Sequence, residues 1–231
     1  MMLHREIIPT EDGSVTIFIP EWNESYHSKH GAVQEAYHVF IKNGWNYFLD
    51  ENELSILEIG FGTGLNALIT LLESTHKEKI SYTGIEKYPI DEEIHSLLNY
   101  PESIVKFNSK VHLSQKEIES LYTKLMKADW GEFQSIYSNF ELKKIQADFL
   151  AFNYPENEFD LIYFDAFGAR VQPDLWTEEL FEKLYKSMKT GSLLTTYSAK
   201  GSVRRALSSV GFEVEKRPGP PGKREMLIAK K

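Results

Sequence analysis

Three glycines, each two residues from the next, mark a stretch that is suited to holding a nucleotide-like ligand. Gly60, Gly62 and Gly64 follow an apolar run from Leu54 to Ile59, which indicates a short buried strand. Glycine lets the backbone turn sharply and lie close against a ligand. Because apolar residues resume at helical spacing from Leu65, the pattern predicts a strand, a glycine loop and a helix, as at the start of a nucleotide-binding sheet. A tight turn that binds no ligand is the alternative.

Two acidic residues stand where such a ligand would lie. Glu86 ends a second predicted strand, Lys79 to Glu86, and follows the glycines by about the 20 residues typical of an acid that accepts ribose hydroxyls. A strand-end carboxylate solvated by water is the alternative. Asp165 follows another predicted strand, Phe159 to Phe164. Since ligands of open α/β sheets bind beyond the carboxyl ends of the strands, Asp165 should face the same crevice as the glycines.

A third strand end offers a further pair of candidates. The predicted strand from Glu141 to Ala147 ends at Asp148 and Phe149. Asp148 would accept from an adenine amino group while Phe149 lines one face of the ring. Equally, Asp148 would cap the next turn, a common role of aspartate. The sequence leaves these two alternatives open.

The order of elements predicts the α/β class. Strands alternate with helices, which indicates a doubly wound, mostly parallel sheet of seven strands. The last two predicted strands, Phe212 to Lys216 and Glu225 to Ala229, lie close in sequence and should pair as an antiparallel C-terminal hairpin. A helix from Asp91 to Leu98 should end before Pro101. Residues 1–50 form a predicted hairpin and helix appended to a core of residues 51–231, in one compact unit.

Composition narrows the classes of function. The 231 residues include no cysteine, which excludes disulfides and thiolate chemistry and suits the cytosol. The seven histidines show no metal-ligand spacing, so we expect no metal site. No apolar run approaches membrane-spanning length. Proteins that bind nucleic acid tightly and nonspecifically are usually basic, so the net charge of −8 argues against such binding. The net charge does not exclude a local basic patch. The sequence does not specify an oligomeric state.

The glycine spacing also separates two families of nucleotide-binding loop. A dinucleotide fingerprint reads G-x-G-x-x-G, whereas Leu65 stands here where its third glycine would fall. An NAD-dependent oxidoreductase is therefore disfavoured. Together with Glu58, the pattern E-x-G-x-G-x-G resembles the S-adenosylmethionine loop of class I methyltransferases. That resemblance implies S-adenosylmethionine as cofactor. The cofactor-binding residues that we expect are Glu58, Gly60, Gly62, Gly64, Asn66, Glu86, Asp148 and Phe149.

Further stretches resemble the methyltransferase domain of the MnmC-type tRNA enzymes, in a stand-alone form without the flavin-binding oxidase domain. The matching stretches are Glu58 to Asn66, Asp165-Ala-Phe167 with Pro173 and Trp176, Gly211 to Gly219, Lys223 to Met226, and the N-terminal Tyr26, Ser28, Gln34-Glu35 and Val39-Phe40. The resemblance spans nearly the whole chain. It implies methyl transfer to the primary amine of 5-aminomethyl(-2-thio)uridine at the wobble position of the tRNA anticodon.

The resemblance also implies roles on the acceptor side. Asp165 would hydrogen-bond and orient the amine, and Phe167 and Trp176 would wall the base. Binding of the cofactor's methionine ammonium, or a cap, is the alternative role for Asp165. Lys216, Arg217, Lys223 and Arg224 surround a glycine–proline loop and would meet RNA phosphates; a solvated turn is the alternative. A methyl or aminopropyl transferase acting on a small amine, and a catalytically silent adenosyl- or RNA-binding module, are the competing functions.

Overall fold

The computed structural model describes residues 4–231 and contains two sheets. The small sheet consists of β1 (Glu6–Pro9), β2 (Val15–Ile19) and β3 (Glu24–Ser25). The large sheet consists of β4 (Glu53–Ile59), β5 (Lys79–Glu86), β6 (Gln134–Tyr137), β7 (Phe140–Gln146), β8 (Phe159–Phe164), β9 (Met188–Thr196), β10 (Glu213–Pro218) and β11 (Glu225–Lys230).

Helices join most of these strands. They are α1 (Ala32–Ala36), which continues as a π-helix over Tyr37–Lys42, α2 (Leu65–Glu73), α3 (Glu92–His95), α4 (Tyr100–Phe107), α5 (Gln115–Lys127), α6 (Glu178–Ser187) and α7 (Gly201–Ser209). Two short 3-10 turns cover Trp45–Phe48 and Pro173–Leu175.

The order of strands in the large sheet places a ligand crevice at its centre. The order is β10-β11-β9-β8-β4-β5-β7-β6, and the strands from β9 to β7 run parallel. After β4, the strands β5 and β7 are added on one side of β4. The chain then crosses back, and β8 and β9 are added on the other side of β4. Because this reversal occurs between β4 and β8, their carboxyl ends flank the crevice in which such sheets bind ligands.

Both faces of the sheet are covered, which explains why its central strands read as continuous apolar runs. On β8, Leu161 and Tyr163 pack into the core that α1, α2, α4 and α5 share with one face. Ile162 and Phe164 point the other way, into the core formed with α6 and α7. The alternation of side chains along a strand therefore feeds two separate apolar layers.

The predicted α/β class and antiparallel C-terminal hairpin are confirmed, whereas the sheet has eight strands instead of seven. The additional strand is β6, an antiparallel edge strand that pairs with β7 through a bulge. Its four residues are too few to show a clear period in the sequence. The bounds of β5 and β8 agree with the predicted ones to the residue.

The region around Pro101 differs from the prediction. The helix expected from Asp91 to Leu98 shortens to α3, and a second helix, α4, begins at Tyr100. Pro101 lies in the first turn of α4, where a proline is tolerated because the first amides of a helix have no partner within it. The proline therefore helps to start a helix there rather than stopping one. No helix in residues 4–231 is long and apolar enough to cross a membrane.

Candidate active site

A cavity of about 840 Å³ lies at the carboxyl ends of β4, β5 and β8. Gly60, Glu86 and Asp165, from the ends of these three strands, line it together. The N-terminal segment around β3 forms another wall with Trp22 and Tyr26. The volume falls in the range of small-molecule and cofactor sites, about 300–1,000 Å³. The crevice expected from strand order is thus a pocket that the N-terminal segment helps to wall in this chain.

The glycine loop requires glycine because its backbone has positive φ angles and because neighbouring atoms lie very close to it. Gly60 and Gly62 line the cavity with φ of 91° and 46°. A Cβ on Gly60 would lie 2.8 Å from the carbonyl oxygen of Asp165, and one on Gly62 would lie 3.3 Å from the ring of Tyr26. Because a side chain at Gly60 would overlap neighbouring backbone and one at Gly62 would crowd a ring, the loop can pass between β4, β8 and the N-terminal wall only with glycine.

Two of the predicted cofactor residues lie behind this loop. Gly64 begins α2 at φ 70°, and a Cβ there would lie 2.7 Å from the sulfur of Met126 on α5. Glu58 is buried, and its carboxylate accepts from Asn66 Nδ2 and Tyr82 Oη, each at 2.8 Å. Neither Gly64 nor Glu58 is among the described residues that line the cavity. The structure therefore assigns both to supporting the loop from behind.

Asn66 joins the buried acid to the cavity. Its Nδ2 donates to Glu58 Oε1 at 2.8 Å and to Asp165 Oδ2 at 2.9 Å. Asn66 Oδ1 and Thr63 Oγ1 are buried and have no hydrogen-bond partner within residues 4–231. A buried polar atom without a partner costs roughly 1–3 kcal/mol, and both side chains line the cavity. These two atoms fit a polar cofactor that would supply their missing partners.

Asp165 carries an unusual proton affinity. Burial raises the pKa of its carboxyl to about 8, and the negative charge of Glu35 adds to that rise. The hydrogen bond from Asn66 and the positive charge of Lys223 oppose the rise in pKa. A carboxyl with a pKa so far above its usual value, at the inner end of a cavity, is the kind of group that active sites use to hold or exchange protons.

Glu86 lies beside the loop as an acceptor with spare capacity. Its Oε2 accepts the Gly62 amide at 3.0 Å and its Oε1 accepts the Tyr88 amide at 2.8 Å. Burial raises the pKa of Glu86, and these backbone hydrogen bonds counteract that rise. Each carboxylate oxygen can accept two hydrogen bonds. Both oxygens therefore keep a position for a ligand hydroxyl, as the predicted ribose role requires.

Asp148 makes the contacts expected of a residue that caps a turn, and it also lines the cavity. Its Oδ1 accepts the amide of Leu150 at 2.9 Å, and its Oδ2 accepts from Lys87 Nζ at 2.6 Å. The hydrogen bond from Lys87 holds the pKa of Asp148 below its usual value. Phe149 is buried and lines the same part of the cavity. Contact of Asp148 with an adenine amino group stays a prediction.

Three aromatic rings line the cavity beside the glycine loop. The ring of Phe167 meets Trp22 and Tyr26 edge to face, with centroids 5.2 and 5.0 Å apart. Trp176 was expected to wall the base with Phe167, but it is buried, packs against Phe164 and is not among the described lining residues. Its indole Nε1 donates to the carbonyl of Phe167 at 2.8 Å. Trp176 thus lies outside the cavity and positions Phe167 through this hydrogen bond.

A lysine lies inside the cavity. Lys223 Nζ donates to Glu35 Oε1 at 2.7 Å and lies 3.9 Å from the ring centroid of Tyr197. Tyr197 Oη in turn donates to the carbonyl of Ala166, next to Asp165. Glu35 is 7% exposed, whereas the side chain of Lys223 is 35% exposed, so only the carboxylate of this ion pair is held away from water. Lys223 therefore belongs to the inner wall of the cavity.

The predicted basic cluster on the hairpin is dispersed. Lys216 pairs with Glu225 at 2.7 Å, and Arg217 pairs with Glu215 at 2.6 Å. Lys216 and Arg217 are consecutive on β10, so their side chains leave opposite faces of the sheet. The lysine described above points inward, and only Arg224 is exposed without a carboxylate partner in residues 4–231. Ion pairs and strand alternation therefore separate the four predicted cations, and their contact with RNA phosphates stays a prediction.

Other residues of the site carry no sequence signal of their own. Arg170 Nη2 donates to the carbonyls of Trp22 and Asn23, and its guanidinium also pairs with Glu24 at 2.9 Å. These contacts clamp the N-terminal segment to the loop after β8. A lone arginine in a loop predicts nothing by its spacing, since its partners are about 146 residues away in the chain.

The comparisons with known proteins agree with this geometry. A family described as S-adenosyl-L-methionine-dependent methyltransferase matches residues 112–231, more than half of the chain. The chain belongs to this family of methyltransferases. Its cofactor is S-adenosylmethionine, as the glycine loop and the unpartnered polar atoms beside it indicate. No group of three or more metal-ligating side chains is found in the part of the chain that the structure describes.

Two curated relatives carry the same name, tRNA 5-methylaminomethyl-2-thiouridine biosynthesis bifunctional protein MnmC. The protein from Leptospira interrogans is 32% identical over 229 residues, which are 95% of this chain and 34% of the relative. The protein from Marinomonas sp. is 31% identical over 225 residues, 90% of this chain and 31% of the relative. The chain thus spans about a third of the length of these relatives. The predicted resemblance to MnmC is confirmed.

Solved structures share the fold. The crystal structure of MNMC2 from Aquifex aeolicus has a TM-score of 0.78 at 23% identity, covering 99% of this chain and 71% of that one. Spermidine synthase from Thermotoga maritima has a TM-score of 0.56 at 15% identity, covering 99% of this chain and 68% of that one. At these identities the two structures establish the architecture.

Proposed function

We propose that the chain transfers a methyl group from S-adenosylmethionine to the primary amine of 5-aminomethyl(-2-thio)uridine at the wobble position of tRNA. The observation that supports this most is the position of Asp165. Its carboxyl lines the cavity together with the glycine loop and Phe167, and Asn66 ties it to the cofactor side. The names of the curated relatives, which span nearly the whole chain, point to the same nucleoside.

The chemistry needs alignment more than it needs reactive side chains. The cofactor supplies an activated methyl group on a positive sulfonium. Methyl transfer forms a C–N bond as the C–S bond breaks, so the amine must lie on one line with the methyl carbon and the sulfur. Asp165 is the chain's group for this task, because its free oxygen can accept from the amine and turn the nitrogen lone pair toward the cofactor.

The amine must also lose its proton. A free alkylamine resembles lysine, with a pKa of about 10.4, and is mostly protonated at neutral pH. Lys223, which is positive and lies in the same cavity, disfavours an ammonium and so lowers the pKa of a bound amine. In its ionised form Asp165 can take up the proton released as the amine becomes secondary, and the raised pKa makes that carboxylate a stronger base than an ordinary aspartate.

The remaining roles follow the two sides of the cavity. On the cofactor side, Glu86 holds ribose hydroxyls, while Asn66 and Thr63 offer their unpartnered oxygens to polar groups. On the acceptor side, the ring of Phe167 supplies a face on which a base can stack. Phe149 lines the cavity where the purine ring would lie.

The choice of acceptor is tested by transfer of a labelled methyl group into three substrates. These are tRNA without the wobble modification, tRNA bearing the wobble aminomethyl group, and spermidine-like amines. We expect label in the aminomethyl tRNA alone. Equal labelling of the small amines would favour the small-amine transferase, and binding of cofactor without transfer to any substrate would favour the silent module.

A further inference from the structure

A group of cations surrounds the mouth of the cavity, and its members differ from the hairpin residues Lys216 and Arg217, which are held in ion pairs. Five exposed cationic side chains have no carboxylate partner within residues 4–231. They come from three segments, which are the N-terminal loop, α7 with the residue before it, and the turn between β10 and β11. We call these five residues the basic rim. They are Lys29, Lys200, Arg204, Arg205 and Arg224.

The five residues form one surface. Lys29 and Lys200 line the cavity itself. Arg204 follows Lys200 by one helical turn, and its amide donates to the carbonyl of Lys200 at 3.0 Å. Arg205 reaches back, since its Nη1 would lie 3.3 Å from a Cβ on Gly201. The rim therefore begins at the cavity and continues over the exposed face of α7.

The turn between β10 and β11 completes the surface. The hydrogen bond from Lys216 lowers the pKa of Glu225 most, and the charges of Arg224 and Arg204 add to that effect, so both arginines act on the same carboxylate. His30, the neighbour of Lys29, packs directly against Gly222 in the same turn. Two carboxylates lie among these cations, Glu225, which pairs with Lys216, and Glu11, which pairs with His30. In a chain of net charge −8, this is a local excess of positive charge beside the site.

We propose that the basic rim binds the RNA phosphates that flank the target nucleotide. The inference rests on the proposed function, because a wobble base inside the cavity brings the phosphates of its own strand to the cavity mouth. Arginine forks and lysine ammonium groups are the side chains that recognise phosphate. Cations already paired with a carboxylate have less to gain from a phosphate, which excludes Lys216 and Arg217 from the main role.

The test replaces two rim residues on α7. Arg204→Ala with Arg205→Ala should raise the KM for aminomethyl tRNA on the order of tenfold at low salt, with kcat nearly unchanged. The log–log slope of affinity against salt should flatten by about 0.7 for each phosphate of single-stranded RNA that the variant no longer neutralises. Both side chains are exposed, so the melting temperature of the variant should match that of the wild type.

The matched control removes the same charge elsewhere. Lys110 and Lys116 are exposed and have no carboxylate partner in residues 4–231, and Lys116 lies on α5, which packs at the β6–β7 end of the sheet. Lys110→Ala with Lys116→Ala should change the KM for tRNA less than twofold and leave the salt slope as it is. Comparison of the two double variants separates binding to phosphate from a change in net charge.

The outcomes separate the two proposals. A wild-type chain that methylates aminomethyl tRNA, together with a rim variant of raised KM and flattened salt slope, supports the basic rim. If the wild type methylates this tRNA and the rim variant behaves like the control, the proposal that the basic rim binds phosphates is overturned. The proposed function then still stands. If the wild-type chain transfers no methyl to the aminomethyl tRNA, the proposed function falls, and the rim falls with it.

Discussion

Burial of Asp165 costs the fold free energy wherever an ordinary aspartate would already be ionised. Its carboxyl has a pKa of about 8 in the folded chain, against about 3.9 for an unperturbed aspartate. The folded chain therefore keeps a proton that the unfolded chain has already released between these values. The stability associated with this proton is complete below about pH 4 and is lost as the pH rises through about 8.

Replacement of this carboxyl by an amide should reveal that cost. Asp165→Asn removes the ionisation, so the variant should gain thermal stability over the wild type as the pH rises from about 4 to 8. Melting curves of both proteins across this range measure the difference. A difference in melting temperature that stays constant with pH would show that Asp165 is not held protonated.

A second change separates the two roles considered for Asp165. If it orients the acceptor amine, Asp165→Ala should lower the single-turnover rate at saturating cofactor by about 100-fold or more, because positioning and proton transfer are removed together. The affinity for S-adenosylmethionine should change little. A large loss of cofactor affinity with an unchanged single-turnover rate would assign Asp165 to the cofactor's methionine group instead.

Glu86 makes the corresponding prediction for the cofactor. Its two oxygens keep positions for ribose hydroxyls, and hydrogen bonds to a charged group contribute roughly 1.5–3 kcal/mol. Glu86→Ala should therefore weaken S-adenosylmethionine binding by that amount in calorimetry. Glu132→Ala, at an exposed glutamate outside the cavity, is the control. Equal affinities for the two variants would remove Glu86 from the cofactor site.

At the level of elements, the loop between β4 and α2 is fixed from both sides. Gly60 and Gly62 approach the cavity, while Gly64 approaches α5. Gly64→Ala meets two penalties, a left-handed backbone at φ 70° and overlap with Met126. The first costs roughly 1–2 kcal/mol and the second roughly 1–3 kcal/mol.

Gly191 offers a matched comparison for that loop. It also has a positive φ, 82°, and no atom lies within 4 Å of a Cβ built there. Gly191→Ala should therefore cost only the backbone penalty, and Gly64→Ala should destabilise by at least about 1 kcal/mol more in urea unfolding. Equal losses of stability would mean that α5 yields to the added methyl group.

The elements that positioned the site were those with strong local patterns. β5 and β8 are largely buried strands that end at or just before an acid, so their bounds followed from the sequence. By contrast, β6 and α4 depend on tertiary pairing and on a proline that starts a helix. The ends of buried strands therefore predicted Glu86 and Asp165 together.

The acceptor side could not be assembled in the same way. Glu35 and Lys223 meet across 188 residues of chain, and Arg170 meets Glu24 across 146. Such pairs have no period or spacing that a single sequence displays. Trp176 and the hairpin cations were placed by resemblance of short motifs, which does not report the direction of a side chain. Burial of the indole and pairing of the cations decided their positions.

At the scale of the whole molecule, the N-terminal sheet and the methyltransferase core share one cavity. Trp22 and Tyr26 come from the first and Asp165 from the second, and Arg170 ties them together. The cofactor side belongs mostly to the core, whereas the acceptor side is built from both parts. The basic rim likewise joins the N-terminal loop to α7 and the C-terminal hairpin. Substrate choice is therefore a property of the assembled chain.

The most direct measurement identifies the nucleoside that receives the methyl group. Transfer RNA bearing the wobble aminomethyl group is incubated with the chain and S-adenosylmethionine, digested to nucleosides and analysed by mass spectrometry. We predict that 5-aminomethyl(-2-thio)uridine disappears and that its methylaminomethyl form appears in equal amount. Methylation of any other nucleoside, or an unchanged aminomethyl nucleoside in the presence of bound cofactor, would contradict the proposed function.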